Sequence, residues 1–289
     1  MTNRRSFLKN TGLLALSIPL FGNDIFAAPP KLPAWGIQLY MVKENMEKDM
    51  PGTLKQLGTM GYTQIESYSG TQGMFWGVGN KEFKKLANNF GLKVISSHYN
   101  DEPGGFERQV EKAAEIGMKY LVCPWKGPQK SIDNFKRFAD EFNSNGEICK
   151  KYGMRFGYHP HDYPYKKVDG QLPIDILLAN TDKDLVDFQM DYYYTITEGQ
   201  NAEKYLKEHR HRFKLCHMRD ILKHRLPKDS EEESSCDLGQ GTINYPRLLS
   251  TALDNGMKYF FVEQSRFYHE TPLQSAKVNI DYLKKLRLI

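Results

Sequence analysis

RFKLCHMRD, residues 212–220, begins as a buried strand would, with Phe213, Leu215 and Cys216 apolar, and then crowds His217, Arg219 and Asp220 into its last four positions. A strand that only filled a core has no use for that ending, because buried charge is costly unless it is paired or bound to a metal. Seven other runs share the pattern: WGIQLY (35–40), YTQIESY (62–68), KVISSHY (93–99), KYLVCPW (119–125), RFGYHPH (155–161), LVDFQMD (185–191) and KYFFVEQS (258–265). Between them lie stretches with apolar residues at three- and four-residue spacing that end in Gly. TLKQLGTMG (53–61), FERQVEKAAEIG (106–117) and YPRLLSTALDNG (245–256) are examples, and each reads as an amphipathic helix with a C-terminal glycine cap. Near-continuous apolar strands alternating with helices indicate a parallel sheet covered on both faces. Eight such units within 289 residues predict a single-domain (β/α)8 TIM barrel, a fold of about 250 residues. The rival, an open doubly wound sheet, lacks the GxGxxG turn expected after its first strand.

Composition is that of an ordinary globular protein, 40% hydrophobic and 26% charged, with a formal charge of +5 that is spread along the chain. No basic block points to a nucleic-acid partner. At the start, NRRSFLKN (3–10) sets Arg4 and Arg5 before the apolar run GLLALSIPLF (12–21), and Ala27 and Ala28 follow. That arrangement is expected to be a twin-arginine signal over residues 1–27, cleaved to leave a barrel over 28–289 in the periplasm with no stable membrane insertion. Cys123, Cys149, Cys216 and Cys236 have no CxxC spacing, which argues against a zinc knuckle. Cys123 and Cys216 read as core residues, while Cys149 and Cys236 are free to pair after export. The acidic run Glu231 to Glu233, in the long stretch after the seventh strand, reads as solvated surface.

In a TIM barrel the active site is built at the C-terminal ends of the strands. The tips carry Gln38 and Tyr40, Glu66, His98, Trp125 and Lys126, His159 and His161, Asp191, His217 and Asp220, and Glu263. His159, Asp191, His217 and Glu263 come from four successive units and form a nitrogen and oxygen donor set suited to one divalent ion such as Mn²⁺, Co²⁺ or Zn²⁺. Gln38, Glu66, His98, Trp125, Lys126, His161 and Arg219 are candidates to bind substrate; Glu66 could instead orient a ligand or pair with a neighbouring Arg or Lys at the barrel mouth. Glu263, His161 and His98 are candidates to move a proton. Tyr192, Tyr193 and Tyr194 are placed to pack the rim, and Trp76 either to cap a sugar or simply to pack at the surface.

The stretches beginning WGIQLYMVKENMEKDM (35–50), together with YHPHD (158–162), HMRD (217–220) and FVEQ (261–264), resemble the sugar phosphate isomerase/epimerase family, the xylose-isomerase-like barrels that are also similar to family 2 AP endonucleases. The resemblance implies one divalent metal at the ends of strands five to eight, commonly held by Glu, Asp, His and Glu. Asp191, His217 and Glu263 match the last three, whereas His159 stands where many of these isomerases and epimerases carry Glu. The YHPH stretch is similar to the YHxH of the inosose dehydratase branch, which eliminates water beside a ketone, and to relatives acting on 3-keto sugars. The implied activity is proton abstraction next to the carbonyl of a carbohydrate substrate. Its outcome is isomerisation or epimerisation, or alternatively elimination by a lyase or hydratase. A barrel that only captures carbohydrate is the non-catalytic alternative, and the three-metal nuclease branch needs a larger ligand set than these residues supply.

Overall fold

The computed structural model describes residues 34–100, 104–224, 234–267 and 271–288. The expected signal segment and the acidic run Glu231 to Glu233 lie outside the described residues. All eight expected strands are present as β1 (Trp35–Gln38), β2 (Gln64–Tyr68), β3 (Lys93–His98), β4 (Tyr120–Cys123), β5 (Arg155–Tyr158), β6 (Val186–Asp191), β7 (Phe213–Met218) and β10 (Tyr259–Val262). They pair in parallel in the closed order β1-β10-β7-β6-β5-β4-β3-β2, so the doubly wound alternative is excluded. Two short strands, β8 (Asp220–Ile221) and β9 (Ser235–Cys236), form an antiparallel ribbon after β7.

The glycine-terminated helices form where the apolar spacing placed them. The helix Met50–Met60 starts on an Asp49 side-chain cap and ends at Gly61, whose φ of 106° suits a residue without a Cβ. The final helix, Pro272–Lys285, opens on a capping box between Thr271 and Gln274. Outward-facing strand residues such as Phe156, Cys216, Met218 and Phe260 pack with the helices in the main core. Inside the barrel, Ile95, Tyr120, Val122, Leu215 and Phe261 form a separate apolar plug. Above that plug the interior becomes polar, because residues two positions further along a strand point to the same side: Leu215 is followed by His217, and Phe261 by Glu263.

Register brings the polar tips level with one another. Gln38 lies opposite Glu66, Tyr68 opposite His98, and Asp191 opposite His217. Register shifts at Ile65/Glu66 and at Phe188/Gln189 each skip one residue on the neighbouring strand. At the other end of the barrel, buried Asp187 pairs with Arg155 and accepts a hydrogen bond from Tyr120. All four cysteines are buried free thiols, so the possible Cys149–Cys236 disulfide is absent.

Candidate functional site

A cleft of about 420 Å³ opens at the C-terminal ends of the strands, the face on which the sequence placed the site. One half of its wall comes from β5 to β10 and carries His159, His161, Arg219 and Glu263, with Asp191 and His217 buried at its base. One donor atom from each of His159, Asp191, His217 and Glu263 lies within 4.8 Å of the others, and His98 groups with His159 and His217 in the same way. Three imidazoles therefore pack together, with ring centroids 4.5 Å apart for His159 and His217 and 5.3 Å for His98 and His217.

The donor set fits a divalent ion on local chemistry. His159 is 1% exposed, yet its Nδ1 has no hydrogen-bond partner, and a buried polar atom without a partner is costly. Burial, reinforced by neighbouring His217 and His161, keeps that imidazole neutral, with its pKa well below the usual value. A neutral ring with an open nitrogen is the form that ligates metal. His217 is held from both sides, by Glu263 Oε2 at 2.9 Å from Nδ1 and by Glu66 Oε1 at 2.6 Å from Nε2. Burial opposes its charge, but Glu263 and Glu66 outweigh burial and raise its pKa to about 10. The same pairing acts on Glu263, where burial favours the neutral acid but His217 and then Arg219 hold the carboxyl well below the usual range. Asp191 differs, because burial exceeds the help it receives from Arg219 and raises its pKa.

Beneath this group, fully buried Glu66 accepts hydrogen bonds from Gln38 at 2.9 Å, Ser96 at 2.6 Å, His217 at 2.6 Å and both-oxygen contacts from Gln189 at 2.9 and 3.0 Å. Gln189 also accepts from His98 Nε2 at 2.9 Å. Glu66 and Gln38 are therefore buried beneath the cleft and do not line it, against the expectation that they bind substrate; Glu66 holds His217 directly and His98 through Gln189, the orienting role that was its alternative. Carboxylates that orient a ligating histidine in this way hold its tautomer and raise its basicity.

Of the other expected substrate residues, His98, His161, Trp125 and Arg219 line the cleft. Arg219 is 3% exposed; it donates to Asp191 Oδ2 at 2.6 Å and lies over the rings of Tyr193 and Tyr194. Lys126 is a correction: its ammonium pairs with Glu141 on the helix Ile132–Lys151, away from the cleft. Asp220 is also turned away, and accepts backbone N–H groups of Ile221, Gly239, Gly241 and Ile243 to clamp the following loop. Trp76 does not cap the cleft; it is 5% exposed and donates to Ser67 Oγ. Tyr192 and Tyr193 are buried, and Tyr194 alone of that trio lines the cleft.

The sequence reading missed Gln189, Ser96 and Asn100. Gln189 and Ser96 were detectable, since each sits two residues before a tip group, Asp191 and His98, and so shares its face. Asn100 lines the cleft from beyond β3, and nothing in the local pattern marked it.

A family model described as xylose isomerase-like TIM barrel matches residues 54–286. Among curated proteins, the inosose dehydratase of Clostridium perfringens is 26% identical over 193 residues, covering 63% of this chain and 61% of its own. This chain thus spans about three fifths of that relative's length. A solved sugar phosphate isomerase/epimerase from Parabacteroides distasonis is 27% identical, with a TM-score of 0.75 over 86% of this chain and 97% of its own. The IolI protein, solved with a bound zinc atom, shares the fold at 17% identity and a TM-score of 0.67, over 89% of this chain and 100% of its own.

Proposed function

The chain belongs to the xylose isomerase-like TIM barrel family, and on that footing we propose that it is a divalent-metal-dependent enzyme that removes the proton beside the carbonyl of a keto sugar. The observation that carries this reading is the meeting of His159, Asp191, His217 and Glu263 donor atoms within 4.8 Å at the floor of the cleft. Those four residues would hold the ion, with Mn²⁺, Co²⁺ or Zn²⁺ suited to their mixed nitrogen and oxygen donors. A divalent ion bound there would supply Lewis-acid chemistry, making the hydrogen beside the ketone more acidic.

The remaining chemistry belongs to the chain. Glu263 lines the cleft as an ionised carboxylate, 2.9 Å from His217, and is placed to accept the carbon-bound proton. His161 and His98 also face the cleft, and burial keeps both neutral, His161 with its pKa lowered to about 3. Each can accept or share a proton from a substrate hydroxyl. Arg219 balances the acidic group around Asp191.

Return of the proton to the neighbouring carbon gives isomerisation, and return from the opposite face gives epimerisation. Elimination is the second reading, favoured by His159 and His161 flanking Pro160 where a second glutamate base is wanted, and by the likeness to inosose dehydratase. The expected export through the twin-arginine route would put this chemistry in the periplasm and makes a free or glycosidic keto sugar a better substrate than a sugar phosphate. Incubation with keto sugars and keto-glycosides in D₂O with Mn²⁺ or Co²⁺, read by NMR, tests the proposal. Deuterium entering beside the ketone supports it, loss of water or aglycone selects elimination, and no exchange with any of these ketones would refute it.

A further inference from the structure

The cleft is divided by chemistry. Its metal-binding half comes from β5 to β10, whereas the half built by β1 to β4 carries Tyr40, Tyr68 and Trp125, one from each of β1, β2 and β4 or the turn just after it. Exposed large apolar side chains are few among the described residues, namely Tyr40, Val78, Trp125 and Tyr152, and two of them line this one cleft. Trp125 is 53% exposed and Tyr40 46%, while Trp35 and Trp76 are buried.

Both rings are supported from behind. The indole of Trp125 meets His161 and Tyr163 at centroid distances of 4.9 Å, each nearly perpendicular to it. Tyr40 meets Tyr68 at 5.1 Å, and Tyr68 in turn meets Trp76 at 5.3 Å. An exposed indole held in place by its neighbours is a ready stacking platform, because the apolar face of a ring can cover it without ordering a loose side chain. Its contact with His161 puts that platform directly beside the group proposed to face the sugar.

We propose that the Trp125 and Tyr40 side of the cleft is a second subsite, which takes a ring attached to the keto sugar, so that the substrate is a glycoside or disaccharide and not a free monosaccharide. The inference names the substrate class of the site proposed above and rests on that reading for the position of the keto sugar. Stacking is the recognition chemistry in either case, and the attached ring is either a second sugar or an aromatic aglycone. Asn100, which also lines this side, is exposed; its Nδ2 donates to the Ser69 backbone oxygen at 2.6 Å, which leaves its Oδ1 for a hydroxyl of a sugar ring.

The test uses the full chain and three unreactive probes: methyl β-D-glucopyranoside, phenyl β-D-glucopyranoside and cellobiose. Binding is followed by calorimetry and by the indole N–H signals of the three tryptophans. The expected result is that phenyl glucoside, cellobiose or both bind roughly threefold to tenfold more tightly than methyl glucoside, and move the Trp125 indole signal while those of Trp35 and Trp76 stay in place. Trp125→Ala should remove that preference and Trp125→Phe should restore most of it. A preference for the phenyl probe alone assigns an aromatic aglycone, and for cellobiose alone a second sugar. Equal affinity for all three probes, no measurable binding of either two-ring probe, or a preference that survives Trp125→Ala would overturn the inference. None of these probes has to react or needs a metal ion, so failure of the subsite and failure of the metal-dependent reading are seen separately.

Discussion

Replacing Glu66 with Gln keeps the size of the side chain and removes its charge, at a position that touches no substrate-facing surface. Glu66 is 0% exposed and receives hydrogen bonds from Gln38, Ser96, Gln189 and His217. A carboxylate accepts at both oxygens, whereas an amide offers one acceptor and one donor group. One or more of those four donors must therefore lose its acceptor in the variant. The His217 ring loses one of the two carboxylates that orient it, the acceptor for its Nε2–H, while Nδ1 still faces Glu263. Loss of such an outer partner typically weakens metal affinity 10- to 100-fold, equivalent to roughly 1.4–2.8 kcal/mol. The expected outcome for Glu66→Gln is a drop of that size in Co²⁺ affinity, read by chelator competition against the visible absorption of the bound ion, with the fold retained by circular dichroism. A Co²⁺ affinity within about twofold of the parent would refute the reasoning that Glu66 acts through His217.

Asp191→Ala and His217→Ala should each abolish divalent-ion binding, measured by metal analysis after dialysis, together with deuterium exchange into a keto sugar. Asp220→Ala leaves the backbone donors of Ile221, Gly239, Gly241 and Ile243 without their shared acceptor; urea unfolding should show a loss of about 3 kcal/mol, at ~1–3 kcal/mol per stranded donor with partial rescue by water, while Co²⁺ affinity stays the same. In metal-free protein the pKa of His217 rises from its ordinary 6.5 to about 10. The stability it contributes is therefore fully present below pH 6.5 and is lost as pH rises through 10. Urea midpoints should fall over that window, and His217→Asn should flatten the fall.

The barrel was legible because both of its periods are written plainly in the chain. Runs such as KYFFVEQS and LVDFQMD are apolar until their tips, and the helices between them end in glycines such as Gly61. The grouping of Asp191, His217 and Glu263 followed from the fold alone, since tips of successive parallel strands must face one mouth. Depth was not legible. Glu66 and Gln38 look like surface tips in sequence, but Glu66 bonds to His217, Gln38 bonds to Glu66, and both side chains are buried beneath the cleft. Lys126 failed for a different reason: a long flexible side chain just after a strand can swing outward, and Glu141 on the next helix draws it there. In GMFWGVGN (73–80) Trp76 reads as a sugar cap or a packed surface ring with no partner in view; the indole is buried and bonds to Ser67 on β2. Arg219 lines the cleft as expected, and its hydrogen bond to Asp191 is a contact that only a three-dimensional register could reveal.

The central claim is that His159, Asp191, His217 and Glu263 hold one divalent ion. Anomalous diffraction at the Co²⁺ or Zn²⁺ edge from crystals of the metal-loaded protein addresses it directly. The account predicts a single strong peak within coordination distance of those four side chains, with Glu66 still bonded to His217 Nε2. A peak elsewhere, or its absence from this group at saturating metal, would contradict it.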